Sequence, residues 1–167
     1  MNGAVSAFVG LGSNLETPVR QLTEALDAIA RLPGTTLVRR SAFYRTAPVG
    51  FVDQPDFVNA VAWVRTELDP RDLLSALLRI ETEHGRVRAL RNGPRTLDLD
   101  LLLHGDEVRH EASLTLPHPR MHERAFVMVP LAEIAADVGI PGVGVAHEIA
   151  ARLRAVQRVD RMPDGMA

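Results

Sequence analysis

The stretch Gly93-Pro94-Arg95-Thr96-Leu97-Asp98-Leu99-Asp100-Leu101-Leu102-Leu103 constrains the chain more than any other. Gly93-Pro94 ends a loop, and the apolar run after it reads as a strand. Two carboxylates interrupt that run at a spacing of two. On a strand, Asp98 and Asp100 therefore share a face, roughly 6.5–7 Å apart at Cα. Two like charges among leucines repel each other and lose hydration, and a divalent cation relieves both problems. Mg²⁺ favours carboxylate and phosphate oxygens, so the pair reads as a seat for magnesium-bound phosphate, with Arg95 in position to reach the same phosphates. A solvated edge face, or an aspartate pair capping nearby loops, would use the same residues.

The 167-residue length suits one domain, 1–167, with a core over about 5–156 and a weakly ordered tail from Arg158 on. The chain has no cysteine, which excludes disulfides and thiolate metal sites and permits a reducing compartment. It also has no lysine: all 19 permanent cations are arginines. A Walker A loop and lysine Schiff-base chemistry are thereby excluded, and phosphate must be held by Arg, His, backbone N–H or metal. The net charge of −2 argues against general nucleic-acid binding. The N-terminus carries no signal-peptide pattern, and no apolar run is long enough to span a bilayer. A cytoplasmic monomer without a membrane or nucleic-acid partner is the expectation.

Along the chain, Val5–Gly10 reads as a strand, followed by a glycine-rich turn at Gly10-Leu11-Gly12-Ser13-Asn14-Leu15 that can cradle phosphate or simply turn tightly. Thr17-Pro18 reads as N-cap and first residue of a helix with the stripe Leu22, Leu26, Ile29. Further strands are predicted over Thr35–Tyr44 and Phe57–Val64, separated by a long loop of the length that often carries function. Asn59 is the polar exception on the second strand's face; it can bond to the adjacent loop or to a ligand. A helix from Asp69-Pro70 shows an apolar face of Leu73, Leu74, Leu77 and Leu78. Glu81 lies at its edge, where the helix dipole disfavours a carboxylate without a partner. Arg86, Arg88, Arg91 and Arg95 then lead directly to the aspartate pair, which points to a polyphosphate clamp over a merely solvated basic loop. His118 and His122 have a helical metal spacing, but the prolines around His118 argue against zinc. Helices are expected over Glu123–Ala136 and Val145–Val156. Strands joined by loops too short for crossovers favour a mainly antiparallel sheet with helices packed on it, an α+β sandwich.

Five segments in order resemble one family: Gly12-Ser13-Asn14-Leu15, Phe43-Tyr44-Arg45-Thr46, Asp53-Gln54-Pro55-Asp56-Phe57-Val58-Asn59, Gly93–Asp100 and Leu116-Pro117-His118-Pro119. Together they look like the 6-hydroxymethyl-7,8-dihydropterin pyrophosphokinases of folate biosynthesis. The resemblance implies a ferredoxin-like fold and transfer of the β,γ-pyrophosphoryl unit of ATP to a pterin hydroxymethyl group, leaving AMP. It implies two Mg²⁺ ions on Asp98 and Asp100, with Arg86 and Arg95 joining them in catalysis. Glu81, Arg86, Arg88, Arg95, Leu101, Thr115, His118 and Arg124 would serve ATP. Thr46, Pro48, Val49, Phe57, Asn59 and Phe126 would serve the pterin. The residue types suit that chemistry: aromatic faces stack on a flat heterocycle, and one amide offers it both a donor and an acceptor. The chain departs from the usual pattern at Asn92, where an aromatic is common, at Ser113 and Ala47, where some members carry Arg and Pro, and at Phe57, where Tyr is common. Two other readings compete. A single-stranded RNA module needs more exposed aromatics than this chain has. Another Mg²⁺-dependent phosphotransferase is separated only by Phe57, Asn59 and Phe126.

Overall fold

The architecture follows from a sheet that uses both of its faces. The computed structural model describes residues 3–15, 17–47, 56–86 and 97–163, with no side-chain detail at 85 and 86. Strand β1 (Val5–Ser13) lies between β4 (Phe57–Thr66) and β5 (Leu97–His104), antiparallel to both. β4 pairs on its other side with β2 (Thr35–Arg40) and with β3 (Tyr44–Thr46). Two helices complete a βαββαβ order: α1 (Pro18–Ala30) after β1 and α2 (Pro70–Glu81) after β4. This is an α+β, ferredoxin-like layered sandwich with a mainly antiparallel sheet, as expected. Beyond β5 come the hairpin β6–β7 (Arg109–Glu111, Leu114–Leu116), a short 3₁₀ turn (Met121–Glu123) and α3 (Ala125–Ile134). The small hairpin β8–β9 (Gly139–Ile140, Gly144–Val145), α4 (Ala146–Arg154) and β10 (Asp160–Arg161) follow.

Period-two alternation divides the side chains. Val9, Leu11, Val58, Ala60, Leu97, Leu99 and Leu101 pack against Leu22, Ile29, Leu73 and Leu77 of α1 and α2. Each such leucine, fully buried, contributes about 1.5–3 kcal/mol. Phe8, Val61, Trp63 and Leu102 instead meet Met128, Leu131 and Ile149 of α3 and α4 on the opposite face. The leucines around the aspartate pair thus belong to the helical core, while the aspartates point the other way. Asp98 is exposed and Asp100 half-buried, so the pair is less desolvated than the apolar run alone suggests.

Local chemistry explains where elements start and where the expected boundaries move. Asp69 caps α2 through its side chain, accepting from the Asp72 N–H at 2.9 Å, with Pro70 in the first turn. The face α2 buries is Leu73, Ala76, Leu77 and Ile80, whereas Leu78 is 46% exposed. Thr17 precedes Pro18 but does not cap α1: it adopts φ 54° and makes no side-chain cap bond. The turn expected over Gly10–Leu15 starts later: β1 runs through Gly10, Leu11 and Gly12 to Ser13, and the chain bends only at Leu15, whose N–H donates to Ser13 Oγ at 3.1 Å. Thr35–Tyr44 is broken, because Ser41 turns inward and its hydroxyl accepts from the Val61 N–H at 2.9 Å. Glu123 is not in the helix after it, since Arg124 is extended (φ −120°, ψ 111°) and α3 starts at Ala125. The tail, expected to be loose from Arg158, adds β10 to β3 and places Met162 in the core, with the Met162 N–H donating to the Phe43 carbonyl at 2.8 Å.

Candidate active site

α3 and α4 cover only part of their sheet face. The uncovered part floors a cavity of about 580 Å³. Its floor comes from neighbouring strands in register: Gly12 of β1 lies between Asn59 of β4 and Asp98 of β5, and Gly10 pairs with Asp100. Thr46 and Phe57 line the β3–β4 side, and Arg120, Glu123, Arg124, Phe126 and Gln157 form the wall at the start of α3.

Glycine at position 12 has a steric reason. A Cβ there would stand 2.8 Å from Asn59 Oδ1. Asn59 is buried at 4% exposure, and its Nδ2 donates to Thr46 Oγ1 at 3.0 Å. The amide is thus clamped between a strand with no side chain and a threonine hydroxyl, with its planar group fixed at the cavity. On the opposite wall the Arg124 guanidinium lies 5.6 Å from the centre of the Phe126 ring, within cation–π range.

At the other end, Asp98 and Asp100 both line the cavity, as their spacing predicts. Among the described residues no group of three or more His, Cys, Asp or Glu could hold a metal ion. Two carboxylates without further protein ligands suit Mg²⁺ that arrives with phosphate oxygens and water, and do not suit a closed protein cage. The described wall holds three carboxylates (Asp98, Asp100, Glu123) against two guanidiniums (Arg120, Arg124), and so is not by itself an anion trap.

The remaining expected residues follow the outer edge of β5, the last strand in the sheet order among the described residues. Glu81 accepts from the Leu99 N–H at 2.7 Å, which supplies the partner its unfavourable helix position required. Alternation leaves the Leu101 backbone on the same edge. Thr115 lies in β7, and the His118 N–H donates to the Leu102 carbonyl at 2.9 Å. His118 Nδ1 accepts from the Arg120 N–H at 3.1 Å. Burial holds the His118 imidazole below its ordinary pKa; the Asp100 charge opposes that shift, and Arg124 and Arg120 add to it.

One cavity therefore brings together Thr46, Phe57, Asn59, Asp98, Asp100, Arg124 and Phe126. Glu81, Leu101, Thr115 and His118 do not line it. Pro48, Val49, Arg88 and Arg95 lie outside the described residues, as do Asn92 and most of both long loops, and the Arg86 side chain is likewise outside them. Sequence reasoning missed Arg120, Glu123 and Gln157. Arg120 follows His118 by two positions in a proline-stiffened run and was within reach of the same argument; nothing in sequence singles out Gln157.

The chain is similar to known proteins over most of its length. Residues 8–136 match the family model 7,8-dihydro-6-hydroxymethylpterin-pyrophosphokinase. A Haemophilus influenzae 2-amino-4-hydroxy-6-hydroxymethyldihydropteridine pyrophosphokinase is 54% identical over 145 residues, covering 87% of this chain and 91% of that one. A Pseudomonas aeruginosa protein of the same name is 54% identical over 134 residues, covering 80% and 83%. Among solved structures, a Plasmodium falciparum HPPK-DHPS triple mutant with SDX-DHP superposes with a TM-score of 0.72 at 15% identity. That match covers 90% of this chain and 44% of the longer Plasmodium chain, and it speaks for the fold alone. The cavity, the ordered motifs and these relatives agree: the chain belongs to the 7,8-dihydro-6-hydroxymethylpterin-pyrophosphokinase family, and is a transferase of the diphosphokinase type.

Proposed function

We propose that this protein transfers the β,γ-pyrophosphoryl unit of Mg-ATP to 6-hydroxymethyl-7,8-dihydropterin, giving AMP and the pterin diphosphate. The observation that carries the reading is that Asp98 and Asp100 line the same cavity as Phe57, Asn59 and Phe126. A cation-dependent phosphate seat and a site suited to a flat heterocycle with an amide-like edge thus share one chamber.

The Asn59 carboxamide offers a donor and an acceptor to the pterin's amide-like edge, and Phe57 and Phe126 offer aromatic faces. Thr46, Pro48 and Val49 complete that end. Bound at Asp98 and Asp100, two Mg²⁺ ions supply charge neutralisation and orientation for the polyphosphate. Arg86, Arg88, Arg95, His118 and Arg124 serve the triphosphate, Arg86 and Arg95 as catalytic groups, and Glu81, Leu101 and Thr115 serve the nucleoside side. The pterin hydroxyl oxygen forms the bond to the β-phosphorus, and the bond from that phosphorus to the α–β bridging oxygen breaks. The bond electrons leave with AMP, and the hydroxyl proton is lost to solvent. Alignment and arginine charge do most of this work, so no strong base is required. The protein acts in this reading as a single-domain cytoplasmic monomer on small molecules.

The test is Asp98→Ala and Asp100→Ala. Each lowers Mg²⁺-dependent AMP formation by about 10²–10³-fold or more, because the charge it removes is needed most as the transferred group moves. Folding is little affected, since neither side chain is in the core. Wild-type turnover in a folded variant would remove the metal role.

A further inference from the structure

The start of α3 presents two side chains that line the cavity, the N-cap residue Arg124 and Phe126 in the first turn. The turn has no cap of its own, since the Arg124 side chain makes no cap hydrogen bond. Helix N-termini leave N–H groups unpaired, and such groups need partners when partly buried. Here the partner comes from 32 residues away. The Ala125 N–H donates to Gln157 Oε1 at 2.8 Å, and Gln157 Nε2 donates to the Glu123 carbonyl at 2.8 Å. Those two peptide groups flank Arg124, which is extended, so they point the same way and one carboxamide spans both. The Arg124 backbone is used as well: its N–H donates to the Met121 carbonyl at 3.2 Å, and its carbonyl accepts from the Met128 N–H at 3.0 Å. Gln157 is anchored in turn, its N–H donating to the Leu153 carbonyl at 2.8 Å at the end of α4.

We propose that Gln157 is a positioning residue for this site: its carboxamide, bridging the peptide groups on either side of Arg124, fixes the turn that presents Arg124 and Phe126 to the ligand. The inference rests on the pterin reading of the cavity. The same chain segment also reaches the opposite wall, where Asp160 and Arg161 pair with Arg45 and Tyr44, adjacent to Thr46. The C-terminal segment thus ties both walls, contributing Gln157 to one of them, and the donor–acceptor pattern of one amide makes the tie specific.

The experiment compares wild type with Gln157→Ala and Gln157→Glu, using calorimetric titration of 6-hydroxymethyl-dihydropterin in the presence of Mg²⁺ and a non-hydrolysable ATP analogue. Gln157→Ala raises the pterin Kd roughly tenfold, and the Ala125 amide exchanges its hydrogen faster. At neutral pH the carboxylate introduced by Gln157→Glu accepts from Ala125 but faces the Glu123 carbonyl with no proton, so affinity falls. As the pH is lowered from 7 towards about 5, that carboxyl regains a proton and with it the donor–acceptor pattern of glutamine. Its deficit relative to wild type at the same pH then shrinks, while that of Gln157→Ala does not. General destabilisation would not produce that pattern, and melting temperatures verify that both variants are folded. A wild-type Kd or wild-type Ala125 exchange in Gln157→Ala would overturn the proposal, as would a pH-independent deficit in Gln157→Glu. Absence of pterin binding by wild type is a separate outcome that sinks the reading of the cavity, whereas the exchange experiment needs no ligand and judges the tie directly.

Discussion

Gly12→Ala tests how the floor of the cavity is built. The added Cβ stands 2.8 Å from Asn59 Oδ1, below the 3.0 Å that real Cβ contacts respect. The backbone is no obstacle, because position 12 is ordinary strand and is not among the positive-φ residues. Something must therefore move, and the choices are the Asn59 amide or the pairing of β1 with β4. Moving the amide breaks its bond to Thr46, worth about 1 kcal/mol. Overpacking a buried site costs about 1–3 kcal/mol in all, that lost bond included, and the lower chain entropy of Ala over Gly returns about 0.4–1 kcal/mol. The net is a loss of about 1–2 kcal/mol, or a few degrees in Tm for a chain of this size. Ligand binding is expected to suffer more than stability, because the displaced amide is the group proposed to read the pterin edge. Losing about 1.4–2.8 kcal/mol there weakens binding roughly 10–100-fold. Thermal melts and calorimetry with dihydropterin and a Mg-ATP analogue read the two effects separately. Gly10→Ala is the stability control: its Cβ would meet Leu102 methyls at 3.5 Å, an ordinary contact, and should leave Tm nearly unchanged. A Gly12→Ala protein with wild-type Tm and wild-type pterin affinity would refute the clamped-amide geometry.

Other expectations follow from single contacts. Tyr44 is 3% exposed and its hydroxyl donates to Glu133 Oε1 at 2.7 Å, so Tyr44→Phe should cost about 1–2 kcal/mol in denaturant melts. Burial, then the Glu133 hydrogen bond, raises the Tyr44 pKa well above the phenol's ordinary value. The stability this group contributes is therefore full below pH of about 10 and declines as pH rises past it, a decline that Tyr44→Phe should lack. His118, held low by burial, should titrate below the ordinary imidazole value in NMR of the ligand-free protein. Its contribution to stability is present above about pH 6.5 and is lost as pH falls below that; an imidazole titrating above the ordinary value would contradict the buried setting. Glu81→Ala should expose the Leu99 N–H on the β5 edge and speed its hydrogen exchange, while Glu81→Gln, which keeps an acceptor, should largely restore protection.

The parts of the fold legible in sequence were those fixed by short-range alternation and by local chemistry. Asp98 and Asp100 share a face because strands alternate, whatever packs nearby, and Asp69-Pro70 starts α2 because a cap and a fixed φ act within one turn. What stayed hidden depends on partners distant in sequence. Gly12 looks like a turn residue until Asn59, on another strand, is seen to need the room. Leucine outranks alanine in hydrophobicity, which favours an α2 face through Leu78, but rotation of the helix buries Ala76 and Ile80. The charged segment Arg158–Arg161 carries no strand pattern, since a two-residue edge pairing needs only backbone. Gln157 acts through two peptide groups some thirty residues away, a relation no local pattern encodes.

The central claim is that a cation-loaded triphosphate and a pterin meet over Asp98 and Asp100, and the identity of the nucleotide product tests it most directly. ³¹P NMR of the protein with ATP, Mg²⁺ and 6-hydroxymethyl-dihydropterin should show AMP and a pterin diphosphate appearing together in equal amounts, and neither without Mg²⁺. ADP as the product, or AMP formed at the same rate without the pterin, would contradict it.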